Sequence, residues 1–180
     1  ERHLVAELYG MVNVNSAVWI DEVGRIVRPT ETAGASQAFR TQMDRQTFQL
    51  SEDGVADKQV RRRVYLDALR DWAAWGAGSR FVYSAEEARR RLPVPTEAHA
   101  LAAANFRLGQ HLFAAGHRDC ALRCFAEARR LHPESWNFTR QTWELEEPGK
   151  AAGAEFWAAV DGLGDTPYYA PVDMEGMPTP

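Results

Sequence analysis

From Leu8 to Pro29 the chain reads Leu-Tyr-Gly-Met-Val-Asn-Val-Asn-Ser-Ala-Val-Trp-Ile-Asp-Glu-Val-Gly-Arg-Ile-Val-Arg-Pro, and no other stretch restricts the fold as much. Ala17–Asp21 is a short, nearly continuous apolar run, the pattern of a strand covered on both faces. Glu22–Gly24 supplies a turn of two to three residues, Arg25–Arg28 continues as a second strand, and Pro29 is expected to stop it. Strands joined by so short a turn pair antiparallel. Ahead of them, residues 3–12 set Leu4, Val5 and Leu8 on one helical face, with Gly10 at the helix exit.

The remainder reads as helix. Ala35–Met43 suits a short helix, and residues 50–56, with Ser, Asp and Gly among them, read as a linker. Residues 57–75 place Val60, Val64, Ala68 and Trp72 at i, i+4 spacing with Tyr65 and Leu69 alongside. Ser84-Ala-Glu-Glu87 is a capping box that opens a short helix ended by Pro93. Thr96 caps a long helix to about Ala115. Gly116 then breaks it, and further helices follow over 119–131, 135–146 and 154–163. From Gly164 onward Pro167, Pro171, Pro178 and Pro180 leave only extended or irregular backbone, with Tyr168 and Tyr169 as docking aromatics of unspecified destination.

Composition excludes several classes. Hydrophobic content of 45%, with six Trp, eight Phe and five Tyr among 180 residues, is ample for a packed core and argues against disorder. A net charge of −4 gives no global drive toward nucleic acid or an anionic membrane. No run of 18 apolar residues exists to span a bilayer. The chain begins with Glu, so the reading expects more sequence upstream, and the lack of a leader carries no meaning. Two cysteines are too few for a disulfide-built scaffold, and the compartment stays open, with the cytoplasm slightly preferred.

The opening segment resembles the redoxin branch of the thioredoxin superfamily, which includes alkyl-hydroperoxide-reductase/thiol-specific-antioxidant and TlpA-like proteins. The residues that carry the resemblance are Tyr9, Gly10, Val12, Val14, Ser16, Trp19-Ile20-Asp21, Gly24 and Ile26-Val27, within about 35 residues. In that family a helix ending in Tyr-Gly leads through Val-x-x-Pro-Thr into a strand, an acidic-Gly turn and a returning strand. The family's cis-proline falls at Asn15, just before Ser16, and these two residues are the substrate-loop candidates. A cis bond before Asn costs about 2.5–4 kcal/mol over trans, so a trans bond is expected here, with altered approach to a bound thiol. The family's reactive Cys-x-x-Cys lies on an upstream βα turn, where a helix N-terminus lowers the thiol pKa. No such pair occurs in this chain, so no residue of it is assigned as catalytic.

A second segment resembles a tetratricopeptide repeat (TPR), a 34-residue helical hairpin: Leu108-Gly109, Leu112, Gly116, Ala121, Phe125, Ala128 and Pro133 fall at its spacings. Gly109 and Ala121 are small where the helices come closest, Leu112 and Phe125 fill the seam, and Pro133 ends the second helix. Asn105 stands where the repeat usually has an aromatic residue, with Phe106 next to it. The resemblance implies a peptide-binding inner face bearing Phe106, Gln110 and Phe113. Phe106 and Phe113 could instead pack against the helix over 57–75 or the tail. A single repeat cannot bury its own faces, so a small helical bundle is expected rather than a solenoid.

Other groups carry less. Cys120 and Cys124 share a helix face with His117 nearby, a partial ligand set without a fourth member, and the histidines show no metal spacing. Neither a metal nor a cofactor is therefore assigned. Arg61–Arg63 and Arg89–Arg91 point in different directions around their helices and read as solvated, acid-paired surface.

The expected fold is α+β and mostly α: a partial thioredoxin-like hairpin with helices over 1–49, a helical linker region over 50–95, a TPR-like region over 96–163, and an extended tail over 164–180. The expected function is the C-terminal part of a thiol–disulfide oxidoreductase whose reactive cysteines lie upstream, with a helical extension available to a protein or peptide partner. The alternative is a non-catalytic interaction module on a thioredoxin-like scaffold.

Overall fold

A computed structural model describes residues 4–179. Glu1–His3, where the first expected helix begins, and Pro180, the last of the tail prolines, lie outside the described residues. The elements are α1 (Leu4–Leu8), β1 (Ser16–Ile20), β2 (Ile26–Thr32), α2 (Ala38–Thr41), α3 (Glu52–Trp75), α4 (Ala85–Arg91), α5 (Glu97–Ala114), α6 (Arg118–Leu131), α7 (Trp136–Glu146) and α8 (Ala154–Asp161). With one two-stranded antiparallel sheet among the described residues, the fold is α+β and mostly α. Two compact units form, each from separated segments: Glu1–Val14 with Pro93–Ala159, and Asn15–Leu92 with Val160–Pro180. The second unit joins the hairpin, the long helix α3 and the tail.

In the hairpin unit, the turn is closed by Asp21. Its carboxylate accepts hydrogen bonds from the Val23 and Arg25 amides and from Arg25 Nε, at 2.8–3.1 Å. The Arg25 amide bond leads the forces that hold the Asp21 carboxyl below its usual pKa. The pairing β1–β2 runs Ser16↔Thr32, Ala17↔Glu31, Trp19↔Arg28 and Ile20↔Ile26, with irregularities on either side of Trp19. Pro29 does not stop the second strand, contrary to expectation. It falls where β2 spends three steps against two on β1, a bulge that asks no ladder hydrogen bond of it.

The predicted linker over 50–56 is also corrected, since α3 begins there. Ser51 caps it by accepting from the Gly54 amide, and Glu52 and Asp53 sit at its positive end. What looked like loop composition is a helix start. The inward face of α3 then carries Tyr65 and Ala68 into a core with Trp19, Phe81 and Met174, flanked by Val64, Leu69 and Trp72. Gly34 allows the chain after β2 to pass over α3: it takes φ +66°, and a Cβ there would lie 2.9 Å from Arg61 O.

The tail is irregular, as expected, and its destination is now fixed. Gln37 bonds both the Tyr169 carbonyl and the Tyr168 amide, while Phe39 packs edge-on against Tyr168 at 5.0 Å. Arg40 donates to the Thr166 and Gly164 carbonyls, and Arg61 to those of Pro178 and Thr179. Arg61 is therefore buried rather than solvated, whereas Arg62 and Arg63 are exposed.

In the helical unit, Thr96 caps α5 and Ser135 caps α7. Helices α5 and α6 form a close antiparallel hairpin around Gly109, where a Cβ would meet the Phe125 ring at 2.5 Å. Ala121, Phe125 and Ala128 are fully buried, and α7 closes the cluster through Phe138. The segment after α1 is tied to α7 by Asn137, which donates its amide to Val12 O and its side chain to Met11 O.

Candidate functional site

The substrate-loop candidates lie at the entry to β1. Asn15 is exposed and Ser16 half-buried. Every peptide bond among the described residues is trans, the bond before Asn15 included. Asn15 takes φ +61°, a left-handed conformation that Asn tolerates and that a proline ring, locked near −65°, cannot adopt. Its carbonyl accepts from the Ala33 amide at 2.6 Å, and its side-chain amide lies 3.5 Å from the Tyr169 hydroxyl. The absence of proline here is thus built into the backbone path of the loop.

Behind the loop stands a polar chain that the sequence did not announce. Trp19 Nε1 donates to the Tyr65 hydroxyl at 2.8 Å, which donates to Glu31 Oε1 at 2.9 Å. Glu31 in turn accepts two charge-assisted bonds from Arg28, which is 2% exposed. Arg28 also donates to the carbonyls of Phe81 and Asp173, and its guanidinium lies over the Tyr83 ring at 4.3 Å. Burial disfavours its charge, but the Glu31 carboxylate outweighs this and raises the Arg28 pKa. Burial beside Glu31 pushes the Tyr65 phenol well above its ordinary value. Both groups are therefore fixed in their resting protonation states, which suits a structural brace. Nothing local in the sequence signals it, since a buried Arg is not readable from periodicity.

The three residues of the predicted peptide-binding face have different fates. Phe106 is 1% exposed and stacks on Phe138 at 4.4 Å, so it belongs to the core and is not presented to a ligand. The cause is α7, which covers that face of the hairpin. Phe113 is half-buried, 6.4 Å from Phe125, with the Arg118 guanidinium 5.6 Å over its ring. Gln110 is half-buried, and its Oε1 is enclosed without a hydrogen-bond partner among the described residues. On the other side of α5, Leu101 and Leu108, seven residues apart, are each 48% exposed. Asn105, in the aromatic position of the repeat, bonds back to Leu101 O within its own helix.

Cys120 is exposed and Cys124 half-buried on α6, and both are free thiols. Arg123 donates to Cys120 Sγ. Two histidines without motif spacing come together in the fold. His99, in the first turn of α5, meets His132, just after α6, in a ring stack of 4.2 Å and 19°, and both face Glu134. Glu134 Oε1 lies 3.1 Å from His99 Nε2 and 3.7 Å from His132 Nε2. Burial lowers the His132 pKa against the opposing pull of Glu134, with His99 adding to the depression. The separation of 33 residues between the histidines hides this grouping from any local motif. The repeat spacing was the one available signal, because it brings the start of the first helix to the end of the second.

No protein-family model matches this chain, and no curated protein or solved structure matches it either.

Proposed function

We propose that the chain is the C-terminal portion of a redoxin-like thiol–disulfide oxidoreductase with a TPR-like helical extension, its reactive thiol being supplied by residues outside 1–180. The hairpin carries this reading. The loop over 13–16 leads straight into β1, the Asp21-closed turn returns β2 antiparallel to it, and an aromatic-lined helix covers the pair. The strand, acidic-Gly turn and returning strand are the part of the resemblance that supports this reading. The chain's two thiols, Cys120 and Cys124, both sit on α6, apart from any Cys-x-x-Cys pair. The left-handed Asn15 makes the loop's approach to a bound thiol different from that of a cis-proline loop.

A second reading, a non-catalytic interaction module, draws on the contact between Gly109 and Phe125. That contact produces the tight helical hairpin characteristic of repeat modules, with Leu101 and Leu108 left facing outward.

The polypeptide encoded by the complete reading frame, carrying Cys120→Ser and Cys124→Ser, separates the two readings when assayed for thiol-dependent reduction of a disulfide and of a hydroperoxide. Activity that alkylation abolishes supports the oxidoreductase. No activity, together with no cysteine in the roughly 60–110 residues preceding Glu1 expected from ordinary domain size, overturns it in favour of the interaction module. In that case Phe113→Ala should abolish partner capture while leaving helicity intact.

A further inference from the structure

The helical unit holds a set of donor atoms that neither reading uses. We propose that His99, His132 and Glu134 form a binding site for one divalent first-row transition-metal ion, with Zn2+ as the best-fitting occupant. Two imidazoles and one carboxylate are the donor types that borderline ions of this series accept, and three protein ligands plus water is a common open zinc site.

The distances agree with this assignment. In a tetrahedral site with bonds of about 2.0–2.2 Å, neighbouring donor atoms stand roughly 3.3–3.6 Å apart. Glu134 Oε1 lies 3.1 Å from one imidazole nitrogen and 3.7 Å from the other, values that straddle the required separation. All three donor atoms fall within 4.8 Å of one another. Binding requires a rotation: the two rings, now nearly parallel, must turn their nitrogen edges toward a common point. Glu134, in the short connection between α6 and α7 with its side chain 54% exposed, is free to follow. That exposure also leaves the fourth position open to water.

The proton inventory closes as well. His99 Nδ1 accepts from the Thr96 amide at 3.4 Å, so the resting proton sits on Nε2, facing Glu134. An ion at Nε2 moves that proton to Nδ1 and ends the Thr96 amide contact. The stronger half of the cap survives, since Thr96 Oγ1 still accepts from the His99 amide at 3.2 Å. The site takes one ligand from the first turn of α5 and two from the residues following α6. A bound ion therefore clips the two ends of the helical hairpin together and stabilises it by linkage.

Titration of the metal-free chain with Zn2+ alone, followed by calorimetry and thermal unfolding, tests this. One ion per chain is expected, with a rise in Tm that a chelator reverses. Co2+ substituted at the site should show tetrahedral ligand-field bands without a thiolate charge-transfer band. Glu134→Gln, in an exposed connection, should keep the fold by circular dichroism and weaken binding at least as much as the roughly 10–100-fold that loss of an outer-shell partner costs. His132→Ala should weaken it further, and Cys120→Ser with Cys124→Ser should leave it unchanged. Absence of stoichiometric binding overturns the proposal. So does binding that survives both Glu134→Gln and His132→Ala, or that disappears with the two cysteines.

Discussion

At the scale of single residues, two positions decide how the hairpin unit is put together. Asn15 holds the left-handed turn into β1, and its carbonyl anchors the Ala33 amide. Placing a proline at this position should therefore destabilise the loop. Asn15→Pro forces φ from +61° to near −65°, and the expected loss is about 1–3 kcal/mol in denaturant melts, whereas Asn15→Gly stays close to neutral. Tyr65 is the middle of the chain from Trp19 to Glu31 to Arg28. Tyr65→Phe removes the acceptor for the indole N–H and one donor to Glu31 in a buried setting. A loss of about 1–3 kcal/mol is expected, with a change in Trp19 fluorescence as the local signature. Neither position was legible in these terms beforehand. The sequence located Asn15 as a departure from a family pattern, but a φ angle is a property of the closed loop, fixed by the bond to Ala33.

At the scale of elements, local chemistry carried most of the information. Thr96, Ser84 and Ser135 cap the helices that follow them, and Gly116 and Pro133 bound α6, because these signals act within a few residues. Two elements escaped for definite reasons. Ser51 is hidden in a polar run that resembles a loop, and Pro29, which lacks an N–H, sits where the register slips. The helical hairpin gives the sharpest test. Gly109→Ala adds a methyl group at 2.5 Å from the Phe125 ring, so despite the better helix propensity of Ala the net effect should be a loss of about 1–3 kcal/mol. Thermal unfolding should show it. Pairing it with Phe125→Leu should cost less than the sum of the two single changes, since the smaller side chain vacates the space the methyl needs. Additivity would mean that the contact is not the cause.

At the scale of the whole molecule, stability is carried by two cores and by a set of arginines that grip the chain's own backbone. Arg28, Arg40 and Arg61 hold the tail through its carbonyls, and Arg118 reaches the Leu145 and Glu146 carbonyls at the end of α7. The helical unit has its own ionic anchor. Burial disfavours the Glu146 carboxylate, but hydrogen bonds from Lys150 and Arg129 outweigh it and hold its pKa below the ordinary glutamate value of 4.5. A group depressed in the folded state contributes stability above its unfolded pKa and loses it as pH falls through the folded value. Denaturant melts should therefore show this contribution in full at neutral pH and declining at pH below 4.5. Glu146→Gln should lower stability at neutral pH and flatten that acid decline. An unchanged pH slope would remove Glu146 from the account.

The sequence by itself determined the mostly helical character, the antiparallel hairpin and the bounds of the helices from α4 to α7 to within a residue or two, because apolar period, caps and turn residues act over short distances. It also determined the small residues of the α5–α6 seam, since Gly109 and Ala121 are demanded by close approach whatever surrounds them. Only the tertiary structure decided that Phe106 is core rather than surface, because α7, a separate element, lies over it. It likewise decided that Arg28 is buried against Glu31, that the tail is bound by arginines, and that His99 meets His132 and Glu134. The Phe106 stack, the tail contacts and the meeting of the two histidines join groups tens to more than a hundred residues apart in sequence. No local preference encodes such meetings; they are set by which faces must be covered once every element is in place.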